Sequence, residues 1–395
     1  PLDLRAVSTF VSVRGGSDLA LHRDFLLAVA ASGALEPADG VMCLTRVPID
    51  ASAASDLVEQ RIGERVQLTP LVRSALELTT LAPGLTVSTL HDLLGLVRPG
   101  DDIGTVFEQL EELRLLEVVG PGHDPAARLS DGVLETVVAR GIGRMRRRRY
   151  HAAVIEALES LPPSQLGPVE LGALARASLE LARPIDPMLM TRAAMLSFRA
   201  PDMTLSLAIA AAAVEQGGGF QAEMALAVAE SQNGLSTEAV ERLNRLVADA
   251  RDDVERSQAV TGLAGLVTER AVDPDWALGL THLAGAVVRD PSALPRLDTA
   301  RALMLHALGD ADGAAQLVEP ALDQLEGASL VHALFVLAGA TMLRGELTRS
   351  FETLDRGVEL MRAAGVDPWS VTLIRAVALG FEGRIGEAFG IVREF

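Results

Sequence analysis

Apolar and polar positions give the two halves of the chain different patterns. In the second half, amphipathic stretches alternate with turns at Asn233-Gly234, Gly309-Asp310, Gly345-Glu346 and Gly383-Arg384, which predicts a succession of helices. Small residues follow the turns or their equivalents at Ala239, Ala277, Ala314, Ser350 and Ala388, spaced 38, 37, 36 and 38 residues apart. Twelve positions before each stands another: Ala227, Gly265, Ala302, Ala338 and Ala376. A helix pair needs small side chains where its two backbones approach closely. Their recurrence predicts stacked helical hairpins in a solenoid. Ala284, Ala321 and Gly357 supply a third small position in three of the repeats.

Upstream of the array, residues 181–214 read as one or two degenerate helical hairpins. Ala200-Pro201-Asp202 breaks the helix there, since Pro lacks a donor and Asp can cap the next turn. Gln216-Gly217-Gly218-Gly219 follows a helical pattern, not a strand, and so reads as a linker in preference to a phosphate loop. Residues 55–140 are patterned differently. Helices are predicted over 56–64, 70–80, 87–96 and 103–115, the third following Thr86 with Ser88 and Thr89 available to cap it. A strand over 116–120, a turn over 121–125 and a returning strand over 127–129 complete a winged-helix pattern. The stretch 103–115 carries Glu108, Glu111 and Glu112 against Arg114, after Asp101 and Asp102. That face repels a phosphate backbone, so an internal role is expected over DNA reading by the winged helix itself. The uncharged run 328–343 is too short to span a bilayer and reads as a buried helix.

Charge sharpens this picture. All 35 basic residues are Arg, against 53 acidic ones, for a net charge of −18. Without Lys there is neither a P-loop nor Schiff-base chemistry in these residues. Residues 1–150 hold 16 Arg and 20 acidic residues, a balance of −4; residues 151–395 hold 19 and 33, a balance of −14. The acidity belongs mainly to the repeats, favouring protein or small-molecule partners there over nucleic acid or an anionic membrane. The single cysteine, Cys43, fits a reducing compartment, and a cytoplasmic location is expected. No signal peptide is legible, and a start at Pro1 and a stop at Phe395 within a helical pattern read as cuts from something longer.

Catalytic patterns do not emerge. The seven His residues are scattered, one Cys makes no zinc framework, and Asp310-Ala311-Asp312-Gly313 lacks the remaining ligands of a calcium loop. Gly141-Ile142-Gly143 has Arg146 where a dinucleotide motif needs its last Gly. No enzyme activity, metal or cofactor is expected of these residues. The basic run Arg144 and Arg146 to Arg149 reads as a helix start packing against acidic neighbours, with a nucleic-acid contact as the competing reading. The expected binding surface is the concave face of the solenoid, built from the first helix of each hairpin. Its candidates are Gln221, Gln232, Glu269, Arg270, Arg296, His306, His332, Phe335 and Met342. Arg270, Arg296, His306 and His332, with Phe335, would form a polar, partly cationic patch; the competing reading is that they satisfy neighbouring helices.

The paired small residues resemble those of the tetratricopeptide repeat, with longer helices because the period exceeds 34. The order of parts resembles the region of large ATP-binding LuxR-type transcriptional regulators (signal-transduction ATPases with numerous domains) between the nucleotide-binding core and the C-terminal helix-turn-helix. The resemblance covers nearly the whole chain. It is carried by residues 15–21, by 31–35 with Asp39-Gly40-Val41, by Leu113-Arg114-Leu115-Leu116, by residues 128–133, and by Arg146-Arg147-Arg148-Arg149-Tyr150-His151. It implies a lid Pro on the adenine and a winged-helix His on the nucleotide phosphate, and here the matching positions are Asp18 and Asp131. An Asp facing a phosphate is repulsive, so ATP or ADP, implied for the parent regulator, is expected to bind poorly.

The expected architecture is therefore all-α, with a winged-helix module bearing a small β-hairpin followed by a tetratricopeptide-like helical-hairpin solenoid. Residues 1–54 read as a helical lid remnant, 55–140 as the winged helix, 141–215 as connecting helices and degenerate repeats, and 216–395 as the array. The resemblance implies a sensor region whose repeats bind a small-molecule or protein signal. DNA contact is left to a domain outside these residues. The alternative is a stand-alone adaptor or inhibitor scaffold without DNA output.

Overall fold

The computed structural model describes residues 35–38, 41–44, 69–119, 124–130, 132–197, 202–269, 273–363 and 369–393. The chain divides into two compact units, 1–196 and 197–395. The division falls inside the stretch 141–215 that the sequence reads as connecting.

In the first unit, β1 (Leu35–Ala38) pairs antiparallel with β2 (Val41–Leu44), Ala38 opposite Val41. A hairpin therefore stands within the stretch expected to be a helical lid remnant. The Asp39-Gly40 pair between the strands is the sequence signal for it; the rest of 1–54, and the helix expected over 56–64, lie outside the described residues.

The winged helix begins with α1 (Pro70–Leu81), where Thr69 Oγ1 accepts from Val72 N at 3.2 Å and Pro70 takes the first helical turn. In α2 (Val87–Val97) the cap is Thr86 itself, accepting from Thr89 N at 3.3 Å. Ser88, expected as a possible cap, instead donates its N–H to Asp124 Oδ1 at 3.1 Å. α3 (Val106–Glu112) is shorter than the predicted 103–115. Arg114 turns left-handed (φ 54) and Leu115 N bonds back to Leu110 O at 2.9 Å, which stops the helix. The chain then enters β3 (Leu116–Val119), antiparallel to β4 (Ala126–Leu129) with Leu116 opposite Leu129. Ala127 N donates to Leu85 O at 2.9 Å and Gly84 N to Ala127 O at 3.1 Å, adding a short third edge to the hairpin. Leu78, Leu90, Leu93, Leu94, Leu110 and Leu116 fill the core beneath. After it come α4 (Gly132–Gly141), α5 (Arg144–Glu159), α6 (Pro168–Leu181) and α7 (Pro187–Ser197).

The second unit is the array. α8 (Met203–Glu215) starts where predicted, Asp202 Oδ1 accepting from Leu205 N at 3.0 Å. The hairpins that follow are α9 (Gly219–Gln232) with α10 (Ser236–Asp249), α11 (Asp253–Glu269) with α12 (Pro274–Val287), and α13 (Leu294–Ala307) with α14 (Ala311–Ala321). α15 (Gly327–Leu343) with α16 (Leu347–Ala363), and α17 (Trp369–Phe381) with α18 (Ile385–Arg393), continue the series. We call the first helix of each pair helix A and the second helix B.

One turn closes four of these hairpins. Gly234, Gly309, Gly345 and Gly383 all take φ near +80°, which an L side chain resists. The next residue's N–H then bonds five residues back, Leu235 to Glu230, Asp310 to Leu305, Glu346 to Thr341 and Arg384 to Leu379, at 2.8–2.9 Å. Gly218 N bonds Ala213 O at 2.9 Å in the same way, so the glycine run after α8 is a helix cap and not a phosphate loop. The small residues meet as predicted: Ser350 Oγ donates to Ala338 O at 2.9 Å, and Ala227, Ala239, Ala302 and Ala314 are fully buried. The uncharged run 328–343 lies in α15, with Ala333, Val336, Ala338 and Ala340 sealed from solvent. Among the described residues, no helix is long and apolar enough to cross a membrane.

Candidate ligand site on the repeat array

Helix A of one hairpin packs beside helix A of the next, and α13 lies against α15 in this way. Two of the predicted residues mark this seam. Arg296 Nε donates to Ser329 Oγ at 3.3 Å. Ten residues on, His306 sits so close to Gly339 that a Cβ there would come within 2.9 Å of the imidazole Nε2. Gly339 is therefore the residue that admits His306. Both contacts join residues 33 apart, so the two helices run in register. His332 and Phe335 lie one and two turns after Ser329, their rings edge-to-face with centroids 6.5 Å apart and planes at 81°. Between the two ends, Ala300, Leu303 and Met304 pack with Ala333, Val336 and Leu337 in a closed apolar core.

The electrostatics differ from expectation in one respect. Burial pushes the imidazoles of both His306 and His332 below the ordinary histidine value of 6.5. Both are neutral at pH 7, so the positive charge of the patch comes from arginine alone. His306 Nδ1 is buried and has no hydrogen-bond partner among the described residues. Arg270 lies outside the described residues, as do Asp18 and Asp131. Gln221 Nε2 donates to Gln258 Oε1 at 2.9 Å, joining α9 to α11, and Met342 packs against the core that α15, α16 and α17 share. Ser329 and Gly339, which hold the seam, are absent from the sequence-based candidates. Nothing in a single repeat marks a serine or a glycine as the neighbour of a residue one hairpin away.

Other charged clusters are internal. Arg242 of α10 forms a bidentate pair with the buried Glu230 at 2.7 and 2.9 Å and also reaches Glu223, stapling α9 to α10. In the first unit, Tyr150 donates to Glu77 Oε2 at 2.6 Å and Arg146 approaches Glu77 Oε1 at 3.3 Å, so the buried carboxylate has one hydrogen-bond donor and one counter-charge from the arginine-rich run's helix. Arg147 donates to Ala139 O at 2.8 Å and Arg149 stacks over the Tyr150 ring. The run thus packs a helix start, as the sequence reading prefers. A groove of about 460 Å³ lies between α2, α3 and the wing, with Val87, Phe107 and Val118 in its wall and Asp92, Glu108, Glu111 and Asp124 around it. Burial works to raise the Asp124 carboxyl, but hydrogen bonds from Ser88 and Thr86 outweigh it and hold the group below its ordinary value. Glu108, Glu111 and Glu112 of α3 all face solvent. Among the described residues, no cluster of side chains could hold a metal ion.

These features define a helical-hairpin repeat scaffold of tetratricopeptide type preceded by a winged-helix module. No protein-family model and no curated protein matches the chain. Among solved structures, it is similar to a signal-transduction ATPase with numerous domains that has a tetratricopeptide-repeat sensor, from Pyrococcus horikoshii. That likeness has 11% identity and a TM-score of 0.41 over 89% of this chain, which spans about half, 54%, of that protein. It is also similar to a Rap protein complexed with competence and sporulation factor, at 11% identity and a TM-score of 0.43 over 95% of each chain. Likenesses of this degree do not define a family.

Proposed function

We propose that these residues form the sensor region of an ATP-binding LuxR-type transcriptional regulator. In this reading the array receives a signal along the α13–α15 seam and the winged helix relays it. The order of motifs along the chain supports the regulator, and the acidic face of α3 supports relaying over direct DNA contact, which would fall to a separate domain. The observation that carries the sensing role is the buried, unpartnered His306 Nδ1. An unsatisfied buried polar atom costs on the order of 1–3 kcal/mol, and a ligand donor or acceptor at that nitrogen would remove the penalty. Arg296 and His306 stand ten residues apart on α13, roughly 15 Å along the helix axis. A ligand that engages both is extended: a short peptide with a carboxylate for Arg296 and an apolar side chain against Phe335.

The test uses fluorescein-labelled hexapeptides pairing one Asp with one Leu or Phe, titrated by anisotropy. Saturable binding is expected, and replacing Arg296 and His332 with Ala should weaken it about tenfold or more, as loss of interface anchors does, while the thermal midpoint stays nearly unchanged. ATP added as a separate probe should give no saturable response, since Asp18 and Asp131 would oppose its phosphates. Unaltered peptide binding in the double variant refutes the site. A folding defect in that variant assigns the two residues to helix packing instead.

A further inference from the structure

A helix B in the middle of the array carries an apolar stripe that faces water. On α12, Trp276, Leu280, Leu283 and Val287 are spaced i, i+4, i+7 and i+11, the seam of a short coiled coil. Trp276 is 42% exposed, Leu283 70% and Val287 55%, and Leu280 is half-buried. Hairpins precede and follow α12, so the stripe is not open for want of a neighbour in the stack. The opposite face of the helix is already sealed, with Ala284 and Val288 packed on Val260 of α11 and on Ala293 and Leu297 beyond. The other helices B do not share the stripe. Aligned on the small residue, α10 has Glu238, Arg245 and Asp249 where α12 has Trp276, Leu283 and Val287, and α16 has Arg349 and Arg356 at the first two. On α14 none of the three is aromatic or branched aliphatic. The stripe belongs to this hairpin and not to the repeat, and contiguous exposed apolar surface of this kind marks an interaction site.

Charge indicates the occupant. Asp275, His282 and Arg289 follow one another at seven-residue intervals beside the stripe, and all three are exposed. The backbone N–H of Arg289 is fixed by Asp253 Oδ2 at 2.6 Å, a carboxylate that is itself ion-paired with Arg256 at 2.9 Å. Among the described residues, neither the Asp275 carboxylate nor the Arg289 guanidinium forms an ion pair. Two copies of α12 laid parallel would set acid against acid and arginine against arginine. Laid antiparallel about a two-fold axis near His282, each Asp275 faces Arg289 of the other copy, and the two helix dipoles attract. The stripe complements itself in the same arrangement, Trp276 against Val287 and Leu280 against Leu283. A partner of another sequence would have to supply both the stripe and the reversed charge order, whereas a second copy supplies both by symmetry.

We propose that α12 pairs antiparallel with α12 of a second copy of this chain, through the apolar stripe and two Asp275–Arg289 ion pairs. A pair of 14-residue helices buries less than the standard interface of about 1,600 Å², so the dimer is weak and its population rises with concentration. The face shares no residue with the α13–α15 seam, so self-association adds an assembly step beyond the binding of a signal.

Sedimentation velocity of the full chain across the micromolar range should show monomer giving way to dimer, at physiological salt, where the −18 charge is largely screened. With Trp369→Phe leaving Trp276 as the only tryptophan, emission should shift to the blue over the same range as the indole leaves water. Leu283→Asp should weaken association about tenfold or more; the side chain is solvent-exposed, so circular dichroism and the thermal midpoint should match the wild type. The charge order has its own test. Asp275→Arg and Arg289→Asp should each weaken self-association, and mixing the two single variants should restore a dimer, because each charge then meets its opposite across the axis. Packing unrelated to these charges gives neither the loss nor the rescue. A chain that stays monomeric across the range overturns the proposal, as does a dimer that Leu283→Asp leaves intact. Single charge variants that associate like the wild type, or whose mixture fails to recover, overturn it as well.

Discussion

His306 and His332 show how a single side chain changes meaning between sequence and structure. Both stand at expected positions on helix A, but burial lowers their pKa values and removes the charge that the sequence alone would grant them. The consequence is a pH dependence whose sign is fixed. Below an unfolded value of 6.5 the unfolded chain takes up protons that the folded chain refuses, so stability falls as pH drops from 6.5 toward the depressed folded values. Carboxylates held low by hydrogen bonds, such as Asp253 under the Arg289 and Asp290 amides and Glu255 under Arg251, act in the same direction. Their contribution is intact above their ordinary values of 3.8 and 4.5 and is lost only below them. The window from about pH 6.5 to 5 therefore isolates the buried imidazoles, His151 of the first unit included, and the decline that the double variant removes is the part owed to His306 and His332. Urea unfolding across it should show declining stability in the wild type and a shallower decline in His306→Gln with His332→Gln. Equal slopes would mean that neither imidazole is protected from protonation.

At the scale of elements, the helical hairpin was legible because its requirements are local or strictly periodic. A glycine in the left-handed region, a small residue five positions later and another seven positions before the turn glycine recur around Gly234, Gly309, Gly345 and Gly383. The structure adds the reason, a direct Ser350 hydroxyl contact to the Ala338 carbonyl. Elements whose limits depend on distant partners were less legible. α3 stops early at Arg114, a residue type with no preference for the left-handed region, because the chain must turn into β3 and reach β4. Ser88 is drawn from capping its own helix by Asp124, 36 residues away. The close approach also predicts which substitutions the array will reject. Ala302 and Ala314 are sealed from solvent. Ala302→Leu should cost about 1–3 kcal/mol through overpacking, read as a lower denaturation midpoint. The same change at Ala388, whose side chain is only half buried, should cost less. Equal losses at the two positions would show that helix separation is not set by the small residue.

At the scale of the whole molecule, charge and topology decide what the chain can touch. The seam pairs, Arg296 with Ser329 and His306 with Gly339, join successive repeats. Periodicity locates the helices but does not say which side chains of adjacent repeats meet, so the helices were readable and these contacts were not. The winged helix poses the sharper question, because its fold is compatible with DNA reading and its surface is not. Clustered positive charge supplies most nonspecific affinity for a duplex, and α3 instead exposes Glu108, Glu111 and Glu112. Two residues of the arginine-rich stretch are turned inward, Arg146 to Glu77 and Arg147 to Ala139 O, and the whole chain carries −18. Anisotropy with a labelled 30-base-pair duplex at low salt should therefore show no binding by this chain. Replacing Glu108, Glu111 and Glu112 with Arg changes the local balance by six charges and should create weak binding. The affinity of that variant should fall steeply with added salt, since each phosphate neutralised releases counterions. If the unmodified chain binds with such a salt slope, the winged helix contacts DNA directly and the relay role proposed for it fails.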